Sequence, residues 1–224
     1  MMTLTKILRR YTGAAASLAL GGAALGVCAG MSAMPVAAVD SSDAVKLDQA
    51  VRALRSISTL KADFVQRDRS GQQVSGVLTL KRPGKIRFQY EKSVPMLIVG
   101  DGKALTFIDY EVRQVQRWPI RNSPLGALLD PNRDVSKYGV VRDTGNPDVI
   151  SIEVRDRDHP EYGVITLIFT RKASAPGGLE LSYWVALDSQ NKRTTIALSN
   201  QRYGMDVPDS TFRWKDPRPQ PRHH

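Results

Sequence analysis

From Leu60 onward, turn-forming residues interrupt the chain at close intervals: Ser70 and Gly71, Pro83 and Gly84, Gly100 with Asp101 and Gly102, Asp109 to Glu111, Gly145 to Pro147, Pro160, Pro176 to Gly178, and 188–191. Spacing of this kind leaves room for short strands joined by hairpins. Within the intervals apolar and polar residues alternate, as at Ala62 and Phe64 or Leu78 and Leu80. Strands are therefore predicted at 61–67, 74–81, 86–91, 96–99, 104–108, 112–118, a weaker 135–142, 149–155, 164–170, 179–187 and 193–203. Ten or eleven strands in one sheet cannot lie flat, because right-handed strand twist curls a sheet of that width and its apolar face needs a cover.

Little helix is available to supply one. Ser41, Ser42 and Asp43 offer capping oxygens and a favourable charge, and Leu47, Val51, Leu54, Ile57 and Leu60 follow at helical spacing. A second, short helical turn is expected where Ser123 caps Pro124, followed by Leu125, Gly126, Ala127, Leu128 and Leu129. The expected fold class is thus mainly β with α, an α+β arrangement: a curled antiparallel sheet forming an incomplete half-barrel, covered by an N-terminal helix and a short lid helix. A sandwich filled throughout by side chains satisfies the same periodicity.

The first residues read as an address. Lys6, Arg9 and Arg10 precede an uncharged run at 14–29, and Val36 and Ala38 stand at minus three and minus one of a cleavage after Ala38. Residues 1–38 are accordingly expected to be a removed signal peptide, 39–216 a single domain and 217–224 a Pro-rich flexible tail. Removal takes away the only Cys and three cations, leaving 29 Lys and Arg against 22 acids, a net +7 over 186 residues. A secreted chain without thiols holds its fold by core burial, and the combination fits a bacterial periplasm. The basic residues are scattered among acids without compact clusters or zinc-knuckle spacing, which argues against nucleic acid as a partner.

Chemistry is thinly supplied. His223 and His224 follow Pro217, Pro219 and Pro221 and are expected to fray, while His159 stands in a charged turn between Asp158 and Pro160. No spaced His pair supports a zinc site, and no Gly-rich loop opens a helix for phosphate. Asp101 and Asp109 stand near turns, where Asp serves its own backbone. No metal and no cofactor are expected, and enzymatic chemistry survives only by default, as a carboxylate pair whose separation the sequence does not show.

Several segments, in order, resemble the LolA family of lipoprotein carriers. A helix running into Leu60, Lys61, Ala62, Asp63, Phe64, Val65 and Gln66 is similar to the family's helix followed by a strand ending in Phe, one residue and Gln. Gly76 to Leu80, then Lys81, Arg82, Pro83 and Gly84, resembles its strand and Lys-Arg-Pro hairpin. Ile98 to Lys103 with Leu105 and Phe107 resembles its apolar strand and Asp-Gly turn, continued by Val112, Gln114 and Val115. Ser123, Pro124 and Leu125 resemble the start of its lid helix, and Phe212 its closing aromatic strand.

The resemblance implies an incomplete barrel whose cavity takes the acyl chains of lipoproteins crossing the periplasm, without a reaction. Arg82 would latch the lid, with Pro124, Leu125, Leu128 and Leu129 in the lid helix. Residues expected to line the acyl cavity are Leu54, Phe64, Leu78, Leu80, Phe88, Ile98, Phe107, Leu167, Phe169 and Trp184. Expected partners are lipoprotein acyl chains, an inner-membrane ABC lipoprotein transporter and an outer-membrane lipoprotein acceptor, with the carrier itself a monomer. Two other readings remain open: a relative of the same fold that binds another lipid or glycolipid or senses a lipidated protein, and a secreted hydrolase built on a carboxylate pair.

Overall fold

The computed structural model describes residues 41–120, 126–129 and 135–219, all within the unit Val39–His224. The expected signal peptide at 1–38 lies outside them. Helix α1 spans Ser41–Ser56 and buries Ala50, Val51, Ala53 and Leu54. It ends a turn earlier than the helical spacing suggested: the Ile57 amide donates to the Leu54 carbonyl, and Leu60 already belongs to the first strand. Leu60 fits both periods, three residues beyond Ile57 and two before Ala62. Its pairing opposite Leu80 and Tyr203 decides for the strand.

Among the described residues eleven strands follow: β1 (Thr59–Asp68), β2 (Gln73–Lys81), β3 (Lys85–Tyr90), β4 (Met96–Asp101), β5 (Ala104–Asp109), β6 (Gln114–Pro119), β7 (Gly139–Arg142), β8 (Val149–Arg155), β9 (Val164–Arg171), β10 (Leu179–Leu187) and β11 (Arg193–Tyr203). They form one antiparallel sheet in the order β6-β5-β4-β3-β2-β1-β11-β10-β9-β8-β7. All of these strands belong to one sheet, which removes the two-sheet sandwich. Its edges are β6 and β7.

Three local expectations are corrected. Val112 lies in the β5–β6 turn rather than in β6, because an Asp109 carboxylate oxygen accepts the Glu111 and Val112 amides at 2.9 and 3.2 Å and Arg113 turns the chain with φ 54°. The stretch Val135–Tyr138 forms a helical turn, α3, and only Gly139–Arg142 extends to pair with β8. Packing of α3 against α1 and β8 overrides the strand preference of Val135 and Tyr138. Phe212, expected on a closing strand, lies in the 3-10 helix Asp209–Phe212.

The sheet curls far enough for its two wings to touch. Phe88 on β3 and Trp184 on β10 meet edge to face with ring centroids 6.0 Å apart, which makes the face they share the inner one. Helix α1 packs against β7, β8 and β10 and the turn Pro176–Gly178, whose Gly177, at φ 66°, leaves no room for a Cβ above Ala53.

On the opposite, outer face, Leu97, Val99 and Ile108 form a second core with Val207 and Phe212, flanked by Val115, Met205 and Trp214. Polar bonds fix this C-terminal segment in place. Lys81 Nζ donates to the Val207 carbonyl at 2.7 Å, Lys81 and Lys85 both reach Asp209 at 2.7 Å, and Arg87 donates to the carbonyls of Thr211 and Arg213. Strands β4 and β5 are thereby buried on both faces, which is why β5 shows no solvent-facing alternation.

Candidate functional site

Residues directly opposite in an antiparallel ladder share a face, so the register assembles the inner lining row by row. One row runs Leu60, Leu80, Ile86, Gly100, Leu105, Trp118, and the next Ala62, Leu78, Phe88, Ile98, Phe107, Gln116. On the other wing Ile196, Trp184, Leu167 and Ile152 are aligned, beside Leu181, Phe169 and Ile150. Of the residues expected to line a cavity, Phe64, Leu78, Leu80, Phe88, Phe107, Leu167, Phe169 and Trp184 are buried on this face, Ile98 is half-buried on it, and Leu54 is buried on α1. Sequence reasoning missed Ile86, Leu105 and Ile152, which alternation within their predicted strands supplies, and Leu60, which it supplies once Leu60 is placed in β1.

Aromatic rings form the middle of the lining. Phe64 stands edge to face against both Phe88 (5.4 Å) and Tyr90 (5.2 Å), and Phe88 continues to Trp184. Gly76, opposite Phe64 on one side and Tyr90 on the other, makes this possible: a Cβ there would run into the Gln89 carbonyl and come within 2.9 Å of the Phe64 ring. The lining therefore holds its own side chains in mutual contact.

A polar pair borders the rings. The Tyr90 hydroxyl donates to Gln66 Oε1 at 2.8 Å, and burial drives its phenol well above the usual range. Gln66 is on the inner face, two residues beyond Phe64 and opposite Val74 on β2 and Ile196 on β11.

Arg82 follows β2, where its amide donates to the Ser58 carbonyl at 2.8 Å, beside the junction of α1 and β1. The residue is half-buried with its Nε closed off from solvent, and its guanidinium pKa is lowered first by burial and then by the charge of Arg55. Of the expected lid residues, Leu129 is buried in the short helix α2 (Gly126–Leu129). Leu128 belongs to the same helix, whereas Pro124 and Leu125 lie outside the described residues.

Elsewhere the polar groups serve local structure. Asp101 Oδ1 accepts the amides of Lys103 and Ala104 while its Oδ2 pairs with Arg117 on β6, and Asp109 Oδ1 accepts the amides of Glu111 and Val112, so both carboxylates serve the β4–β5–β6 hairpins. His159 is exposed, stacked on Tyr162 and 3.0 Å from Glu161. A shallow recess between Lys61, Asp63, Asn200 and Arg202 marks the bulge between β1 and β11, where Asn200 adopts φ 52° and donates to Asp63. Among the described residues no group of three His, Cys, Asp or Glu side chains is placed to hold a metal ion, and no helix is long and apolar enough to cross a membrane.

Comparison with known proteins gives a family match over most of the chain. The model for the outer membrane lipoprotein carrier protein LolA matches residues 55–215. An outer-membrane lipoprotein carrier protein of Dechloromonas aromatica is 30% identical over 180 residues, covering 76% of this chain and 84% of that protein. One from Chromobacterium violaceum is 29% identical over 170 residues, covering 71% and 78% respectively. The solved structure of a LolA superfamily protein from Nitrosomonas europaea aligns with 76% of this chain and 96% of its own, at 12% identity and a TM-score of 0.46.

Proposed function

This chain belongs to the LolA family of outer membrane lipoprotein carrier proteins, and from that premise we propose that it binds lipoprotein acyl chains on the inner face of its curled sheet. In this reading it is exported to the periplasm by the segment 1–38, receives cargo from an inner-membrane ABC lipoprotein transporter and delivers it to an outer-membrane acceptor. Binding and release suffice for that task, and no bond need be made or broken.

The observation that carries the reading is the continuous apolar inner face, from Leu105 and Phe107 on one wing to Leu167 and Ile152 on the other. An acyl chain of roughly 15 methylenes costs on the order of 12 kcal/mol to expose to water. Edge-to-face ring contacts of the Phe64, Phe88, Tyr90 and Trp184 type contribute about 0.5–1.5 kcal/mol each beyond their burial. A chain that parts those rings replaces apolar contacts with apolar contacts, so the ring geometry is the modest term and chain burial the large one. The same near-balance permits release into a bilayer. Arg82 is assigned the lid latch and Leu128 and Leu129 the lid's apolar side.

Tryptophan quenching tests the site. In a variant whose remaining tryptophan is Trp184 (Trp118→Phe, Trp214→Phe), a lipopeptide with brominated acyl chains should quench the emission strongly. In the companion variant that keeps Trp214, on the outer-face core, it should not. Equal quenching at both positions, or at neither, refutes binding on the inner face.

A further inference from the structure

We propose that Gln66 and Tyr90 form a polar subsite within the apolar lining that receives an ester carbonyl of the bound lipid; the inference rests on the lipid-binding reading above. The carrying observation is an oriented donor. The Tyr90 hydroxyl is buried, its ring is held edge to face by Phe64, and its proton goes to Gln66 Oε1. Were the Gln66 amide turned the other way, the phenol would face an NH2 group and its own proton would lose its acceptor, a costly loss inside the fold. Tyr90 thus fixes the orientation of the Gln66 amide and leaves its Nε2 as a donor, which meets no acceptor among the described residues.

Position selects the ligand chemistry. Gln66 is half-buried on the inner face, beyond Phe64 and in register with buried Ile196. A chain lying along the rings would bring its carboxyl-derived end to this amide. A neutral NH2 group complements an ester oxygen, which only accepts hydrogen bonds, whereas a phosphate or free carboxylate would be matched by a cation. The run Phe64, Val65, Gln66 thereby acquires a division of labour: the ring holds the hydrocarbon, the next residue points outward, and the amide meets the ester. O-acyl glycerol occurs both in the diacylglyceryl anchor of a lipoprotein and in a glycerophospholipid.

The test compares a synthetic diacylglyceryl-cysteine peptide with its dialkyl ether counterpart of equal chain length. The unaltered protein should bind the ester about fivefold more tightly, the weight of one neutral hydrogen bond. Gln66→Met, close in volume but without a donor, should lose that preference, read as a ratio of ester to ether affinity that falls to about one within the same variant. Tyr90→Phe keeps the ring and frees the amide to rotate, and should reduce the preference part way. Equal binding of both lipids by the unaltered protein, or an undiminished preference in folded Gln66→Met, overturns the subsite alone. Failure to bind either lipid overturns the lipid-binding reading and the subsite with it. Repeating the comparison with phosphatidylglycerol and its ether analogue identifies the source: a Gln66-dependent preference confined to the lipopeptide supports the lipoprotein anchor, and one seen with both supports recognition of O-acyl esters in general.

Discussion

The rings of Phe88 and Trp184 touch, at 6.0 Å between centroids, although β2, β1 and β11 lie between their strands. Four interstrand steps in a flat sheet would separate them by roughly 19 Å. Closing that gap is the work of sheet twist and of the apolar face it buries, and it turns two distant hairpins into opposite walls of one lining. Because Phe88 also contacts Phe64, its removal opens the lining at its centre. Phe88→Ala is expected to destabilise the fold by about 3–5 kcal/mol, read as a lowered urea midpoint with little change in slope.

Gly76 tests the same lining from the backbone side. A methyl group there meets the Gln89 carbonyl of β3 and the Phe64 ring, so Gly76→Ala should cost about 1–3 kcal/mol through overpacking. A melting temperature equal to that of the unaltered protein would show that β2 and β3 do not approach each other so closely.

Asp209 makes the attachment of the C-terminal segment sensitive to acid. Bonds from Lys81 and Lys85 hold its pKa at about 2, below its ordinary 3.8. A depressed folded pKa means that its contribution is complete above the unfolded value and is lost as pH falls from there toward 2. Protection of residues 205–214, measured against the intrinsic exchange rate at each pH, should fall over that window in the unaltered protein, and Asp209→Asn should already be less protected at neutral pH with a smaller acid dependence. Identical pH profiles for the two proteins would contradict the assignment.

Arg82→Leu separates a latch from a structural cation. Burial and the nearby charge of Arg55 both disfavour the guanidinium, so its replacement by an apolar residue should leave the melting temperature within a few degrees. Loading or release of acylated cargo should nevertheless change. Unaltered transfer of a lipopeptide from this variant to acceptor vesicles would remove the latch role.

The outer-face core depends on Phe212, which caps Leu97, Val99 and Ile108. Phe212→Ala is expected to cost about 3 kcal/mol and to raise binding of a hydrophobic dye, while Trp184 emission, on the inner face, stays unchanged. A shift at Trp184 would mean that the two faces are coupled.

Much of this arrangement was legible because it is local. Turn residues set the hairpins, and alternation within each strand placed Phe64, Leu78, Phe88 and Trp184 on the face where they are found. Ambiguity arose where periods coincide or a short segment is claimed by packing: Leu60 satisfies a helix and a strand, Val135 and Tyr138 favour extension yet coil beside α1, and the Asp109 carboxylate draws Val112 into a turn. Gln66 was visible as part of a motif, but its partner was not, since nothing in the chain's order announces that the Tyr90 hydroxyl will reach it.

The sequence by itself determined the succession of antiparallel hairpins and which side chains in each strand point the same way, because a strand's two-residue period is a property of the backbone and needs no distant partner. Tertiary structure alone decided that Phe88 would meet Trp184 across the curl, that Tyr90 would orient Gln66, and that residues 205–214 would cover β4 and β5 from outside. Those contacts join residues 24 to more than 100 positions apart, and only the twist of the assembled sheet and the burial of both its faces bring them together.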